Sequence, residues 1–408
     1  MSSTTVPPID VVAPGLQTRL PGGALAGPAR ACLLTGAVAL GASLVGLALG
    51  PETRKQFFFS YLTAYGFALG LCLGALFFVM LQHIYRAGWS VIVRRSAENL
   101  MGVMPYMAVL FLPIALGFET LYHHWVHPIE GDAVIAGKRG YLNPTFFFVR
   151  IGIYFVIWIG LASWFRRTSL SQDQNGDPQL TLKMSRRAAP GILLFALTTT
   201  FASIDLFMSL DPHWFSTMWG VYMFAGYVLS TIAVLTLACL FLQRQGYLRD
   251  AVNSEHYHDL GKLLFAFTVF WAYITFSQYM LIWYANLPEE TSWFAERKSG
   301  AWYLVGQILI VGHFLVPFAF LMSRHVKRTR PLLALGAVLM LVMHQIDLHW
   351  IVMPALHGHS PHLHWLDATT FVGLLALVFG LFLNNVRSTP LLPERDPRLV
   401  ESLQFHNI

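Results

Sequence analysis

Apolar residues along this chain do not alternate, nor do they fall on a single helical stripe; they come in long runs. Ten such runs recur, at roughly 29–49, 57–84, 100–121, 144–165, 189–209, 218–242, 262–285, 302–323, 332–352 and 366–386. A run of about twenty residues at a helical rise of about 1.5 Å matches the hydrocarbon thickness of a bilayer. Lipid offers no partner for backbone polar groups, and these runs are too long for barrel strands. The pattern therefore predicts an all-α integral membrane protein with ten transmembrane helices.

The connectors are short or turn-rich. The longest, "RRTSLSQDQNGDPQLTLKMSRR" at 166–187, reads as a loop. The N-terminal "MSSTTVPPIDVVAPGLQTRLPGG" is polar and Pro/Gly-rich without a basic n-region, and reads as a flexible arm rather than a cleaved signal peptide. Internal similarity organises the rest. The fifth run ends "SIDLFMSLDPHW" (203–214) and the ninth "HQIDLHWIVMP" (344–354), each with Ile-Asp-Leu at nearly the same depth. "FETLYHHW" (118–125) in the third pairs with "FSQYMLIW" (276–283) in the seventh, and "RRT" (166–168) with "KRT" (327–329). Spans 2–5 thus read as a four-helix bundle repeated in parallel as spans 6–9, with spans 1 and 10 as peripheral helices. The expected units are an N-terminal arm (1–28), a peripheral helix and loop (29–56), two bundles (57–209 and 210–352), an outer loop with the tenth helix (353–386) and a tail (387–408).

Composition agrees with a membrane class: 55% of the 408 residues are hydrophobic and only 12% charged, against about a quarter charged in soluble domains. The net charge of +6 does not mark a nucleic-acid binder, because its distribution is one-sided. Twenty of the 27 Lys and Arg residues fall on the side that carries the termini and six on the other, with Arg150 inside the fourth run. The positive-inside rule puts both termini in the cytoplasm. Cys32, Cys72 and Cys239 lie within runs and form no CxxC or CxxCH, so the sequence makes no case for an iron–sulfur cluster or covalent haem.

Ionisable residues inside a bilayer are costly and need a partner or a purpose. Glu119, Asp205 and Asp347 fall in the outer third of their runs, and Arg150 enters from the same side, within reach of Glu119 or Asp205. Glu119, Tyr122 and His123 share a helical face, with His124 adjacent. Such groups suit a quinone headgroup and the protons released from a quinol, which makes Glu119, His123, Arg150 and Asp205 quinone-binding candidates. Proton-path candidates are Glu119, Asp205, Asp347, His313 near the middle of span 8 and His344, one turn before Asp347. Tyr273, Ser277, Gln278, Tyr279 and Tyr284 add polar groups to span 7, and His83 marks an inner mouth. His357, His359, His362 and His364 crowd an outer connector without the ordered spacing of a metal site, and read as a solvated loop that meets a partner.

Two stretches carry a family resemblance. "FAFTVFWAYITFSQYMLIWYANLPEETSWF" (265–294) and "LLPERDPRLVESLQFHN" (391–407) resemble the F subunits of bacterial alternative complex III, which are related to the membrane subunit of polysulfide reductase. The resemblance implies a membrane subunit of a quinol:electron-acceptor oxidoreductase in an electron-transport chain, supporting quinol oxidation and proton conduction. It implies menaquinol or another quinol as the small molecule, with haem and iron–sulfur centres only in partner subunits. Those partners would be a sister polysulfide-reductase-like membrane subunit, an iron–sulfur subunit and multihaem c-type cytochromes. It places the quinol site in the first bundle, where Glu119, His123 and Asp205 match by position. A stand-alone proton-coupled transporter and a purely structural scaffold subunit remain as alternatives on the residues alone.

Overall fold

The computed structural model describes residues 16–358 and 360–407, so His359 and the first fifteen residues of the predicted arm lie outside it. Among the described residues the chain is helical throughout, with no strand. Ten helical stretches are long and apolar enough to cross a membrane: Ala26–Leu47, Pro51–Ile84, Val91–Leu116, Pro144–Asn175, Pro178–Leu210, Trp219–Arg244, Ser254–Ala285, Trp302–Met322, Arg330–His357 and Trp365–Ser388. The protein is a multi-pass membrane protein, and these stretches are spans 1 to 10 below.

Two boundaries differ from expectation for a common reason. The 166–187 loop is instead mostly helix: span 4 runs on to Asn175, Gly176 ends it in the left-handed conformation, and Asp177 caps span 5 with Pro178 at its first turn. Residues on both sides of that turn are polar but good helix formers. The apolar run marks the lipid, not the end of the helix. Span 3 likewise starts nine residues early, at Val91 rather than 100, through "VIVRRSAEN", and ends at Leu116. Glu119 and His123 consequently lie beyond it, in the short helical turns Phe118–Leu121 and His123–Val126.

Spans 2 and 6 form the buried axis, each with more than four-fifths of its apolar window inside the protein. They approach at Gly70 and Gly74 on span 2, the small-xxx-small pattern that lets membrane helices pack closely, while Gly66 one turn earlier faces Phe207 of span 5. A Cβ on Gly74 would fall 2.2 Å from Thr231 Oγ1 and 2.6 Å from the Tyr227 carbonyl. That approach also allows the Thr231 hydroxyl to donate to the Leu71 carbonyl at 3.1 Å. Spans 3, 5, 9 and 10 pack around span 2, while spans 7 and 9 pack on span 6. Span 8 closes against spans 7 and 9, and span 4 against spans 3 and 5. Span 1 lies along span 10, where Gly36, Gly373 and Gly380 receive Leu377, Leu40 and Leu33 in antiparallel register.

On the terminus side the tail laces these helices together. The Leu391 amide donates to the Thr18 carbonyl at 2.7 Å, and the Glu394 amide to Asp173 at 3.0 Å. Asp396 accepts from Arg94 at 2.5 Å, and Arg95 reaches Asp173 at 2.6 Å, all of them buried. Farther on, Asn407 donates to Glu255 and Asp259 at the start of span 7. Burial alone would raise the Asp396 carboxyl, but the Arg94 guanidinium outweighs it and holds the group below its ordinary range. A carboxylate depressed by folding contributes its stability above the unfolded pKa of about 3.9 and loses it only as pH falls through the lower folded value. The Arg94–Asp396 anchor of the tail should therefore persist down to about pH 4 and weaken below it. Hydrogen exchange at the amides around Asp396, the Arg398 amide that bonds to it above all, would read this at descending pH; loss of protection there already near neutrality would contradict the anchor.

Candidate functional site

The two intramembrane aspartates have different surroundings. Asp205 of span 5 is locked into an ion pair. Arg150 of span 4 donates to it through Nε at 2.9 Å and through a second nitrogen at 2.8 Å, and the Tyr154 hydroxyl adds a third bond at 2.8 Å. The remaining Arg150 nitrogen donates to the Tyr141 carbonyl at 2.9 Å, and the guanidinium lies over the Tyr141 and Phe146 rings. Planar fork-on-carboxylate geometry of this kind fixes two helices against each other. Glu119 and His123 do not join this cluster: both are exposed, and His123 packs on His127. Tyr122, expected on their face, points the other way and donates to the Leu206 carbonyl at 3.1 Å. Of the four quinone candidates, only Arg150 and Asp205 come together, and they are already mutually satisfied.

Asp347 of span 9 sits in a convergent site, 2% exposed. The Tyr222 hydroxyl of span 6 donates to one carboxylate oxygen, and Trp271 Nε1 of span 7 donates to the other at 3.1 Å. The Trp271 ring in turn stacks on the His313 imidazole of span 8, centroid to centroid 3.8 Å. Spans 6, 7, 8 and 9 thus each supply one side chain. His313 owes its position to a π-helical turn at Ile310–Leu315. Pro317 lacks the N–H that would bond the His313 carbonyl, and widening the turn is one way a helix accommodates that loss. Such π turns concentrate at functional sites.

His344 lies one turn before Asp347, buried at the contact between spans 9, 6 and 2, with Phe67 at 5.4 Å and Tyr227 at 6.2 Å. Gly226 makes its room, since a Cβ there would come 2.4 Å from the imidazole Cε1. Neither ring nitrogen of His313 or of His344 has a hydrogen-bond partner among the described residues. Buried polar atoms are nearly always paired, so these four are unusual. His83, the expected inner mouth, is also buried and unpaired, near the terminus-side end of span 2.

Beside Asp347, between spans 7 and 8, lies a cavity of about 680 Å³ with almost wholly apolar walls. Across its end away from the termini stands Arg297, on the connector before span 8. Its guanidinium donates to the Trp293, Trp350 and Ile351 carbonyls and lies 3.4 Å over the Trp293 ring. Burial lowers its pKa, against Glu296, Asp211 and Tyr222, which favour the charge. On its other side is a polar vestibule of about 330 Å³ with His124, Asp211, His213 and Glu296.

Of the span-7 residues singled out from sequence, Tyr284 is exposed away from the cavity, whereas Tyr273, also exposed, borders the cavity and Tyr279 lines it and meets Lys298. Trp271, Tyr222 and Arg297 are what the sequence reading lacked. Trp271 shares the buried face of span 7 with Ile274 and Gln278, so a helical stripe would have found it; nothing local marks Tyr222. In the histidine-rich connector, His364 caps span 10 by accepting from the Leu366 amide, with Asp367 bonding back to the His364 amide. Among the described residues no three His, Cys, Asp or Glu side chains gather as a metal site. Comparison with family models and with curated proteins found no match to the chain.

Proposed function

We propose that this chain is a membrane subunit of a quinol:electron-acceptor oxidoreductase, of the kind the alternative complex III resemblance implies, and that it handles protons at Asp347. The observation that carries the reading is the convergence of Tyr222, Trp271, His313 and Asp347 from four different helices, with His344 a turn deeper. A carboxylate buried without a cation is the group most readily switched between charged and neutral forms by its surroundings. The unpaired imidazoles of His313 and His344 are the proton carriers best matched to it. A chain from Asp347 to His344 covers roughly one helical turn, about 5 Å, of the membrane depth.

In this reading both termini are cytoplasmic, the membrane is the bacterial inner membrane, and spans 2–5 and 6–9 are parallel repeats. Their two aspartates have diverged: Asp205 with Arg150 fastens the first bundle, and Asp347 works in the second. The sister membrane subunit, the iron–sulfur subunit and the multihaem cytochromes supply the redox centres, with menaquinol or another quinol as donor. Mild-detergent purification from the native membrane tests this. Co-purification with a multihaem cytochrome and an iron–sulfur protein is expected; recovery of the chain without either would count against the assembly.

A further inference from the structure

We infer that the cavity between spans 7 and 8 is a binding site for a lipid-soluble molecule with a flat, uncharged, oxygen-bearing headgroup, the class to which isoprenoid quinols belong. This deepens the reading of Asp347 as a proton-handling group and rests on it. Three observations identify the occupant. The cavity holds about 680 Å³, within the range of small-molecule sites of about 300–1,000 Å³. Its mouth is framed by Tyr273, Phe276 and Tyr303, all more than half exposed on the membrane-facing flank, so a ligand enters from lipid. Its walls carry the rings of Trp271, Phe294 and Phe314, which suit a planar headgroup.

The polar groups that reach the cavity are few and are placed for a neutral ligand. Asp347 has a free lone pair on each oxygen beyond those used by Tyr222 and Trp271, and can accept from a headgroup hydroxyl. The Gln307 amide lines the same space and can donate to a carbonyl or ether oxygen. A phospholipid phosphate would need the two cations at the end away from the termini. Arg297, however, is turned onto three backbone carbonyls, and Lys298 is held on the Tyr279 hydroxyl. The cavity is separate from the Arg150–Asp205 pair, which belongs to spans 4 and 5 and touches none of its walls.

Gly306 provides the test. It lines the cavity, and a Cβ there would meet nothing closer than Trp350 Nε1 at 3.8 Å, so larger side chains grow into empty space. The complex, in lipid nanodiscs, is labelled with a photoreactive azido-benzoquinone bearing a decyl tail, and the labelled peptides are identified by mass spectrometry. Label is expected on 271–279 and 303–314, competed by decylbenzoquinone, and reduced by about tenfold or more in Gly306→Leu, on the scale of filling a hydrophobic pocket. The smaller Gly306→Ala should reduce it less, and keeps the test readable if the leucine variant does not assemble. Unchanged labelling in both variants would overturn the site, as would label confined to the Glu119–His123 region. Competition by excess phospholipid but not by the quinone would overturn the neutral headgroup. The two readings fail separately. If Asp347→Asn abolishes turnover while Gly306 variants bind normally, the cavity falls and the proton role stands. If Asp347→Asn leaves turnover intact while Gly306→Leu loses label, the proton role falls and the cavity stands.

Discussion

Asp347→Asn is expected, on the proposed function, to lower quinol-driven turnover of the assembled complex by about a hundredfold, the low end of what a positioned proton acceptor contributes. The substitution keeps the size of the side chain and one carbonyl oxygen, so either Tyr222 or Trp271 keeps its acceptor. What it removes is the capacity to gain and lose a proton. It also turns an amide N–H₂ toward one of two donors, which costs stability about 1–3 kcal/mol for an unsatisfied buried group. Turnover must therefore be normalised to the amount of intact complex, read from its haem content. Tyr222→Phe makes a useful companion: it frees one carboxylate oxygen without changing the carboxylate, so it should slow the reaction less. If Asp347→Asn turns over at the wild-type rate per complex, the chain is a scaffold and the convergence at Asp347 is structural.

The reason for singling out Asp347 rather than Asp205 was only half legible in the sequence. Both sit in Ile-Asp-Leu at the same depth of their runs, and an intramembrane acid announces itself through its cost. Arg150 is the one cation inside a run, so its pairing with Asp205 could be anticipated from sequence. The partners of Asp347 could not, because Tyr222 and Trp271 are ordinary aromatic residues in apolar helices until the helices are assembled. The same limit applies to the Gly66–Gly70–Gly74 stripe: its spacing is plain, but only packing shows that Gly66 meets Phe207 and that Gly70 and Gly74 meet Tyr227 and Thr231. The number of spans was legible because lipid selects on length and apolarity. Their ends were not, since spans 3, 4 and 5 continue beyond the apolar run on polar helix-forming residues such as Arg94, Gln172 and Lys183. For Glu119 and His123 that displacement mattered most, since it put them past the end of span 3 and onto exposed helical turns.

Arg150→Met is expected to destabilise the chain by about 3–5 kcal/mol, the cost of removing one partner from a buried ion pair. Asp205 is fully buried, and without the guanidinium its carboxylate would keep only the Tyr154 hydroxyl. Asp205→Leu should cost less, because Arg150 retains the Tyr141 carbonyl and two aromatic faces. The double variant Arg150→Met/Asp205→Leu should recover most of the loss, since apolar side chains of similar volume often replace a buried pair at little cost. Thermal unfolding of the four proteins in one detergent gives the double-mutant cycle, and a coupling near zero would mean that the pair does not hold spans 4 and 5 together. The double variant also separates structure from chemistry. If it folds and the complex turns over normally, Asp205 is a fastening and the working carboxylate of this chain is Asp347. If it folds but turnover collapses, Asp205 takes part in the reaction as well, and its salt bridge would have to open during the cycle.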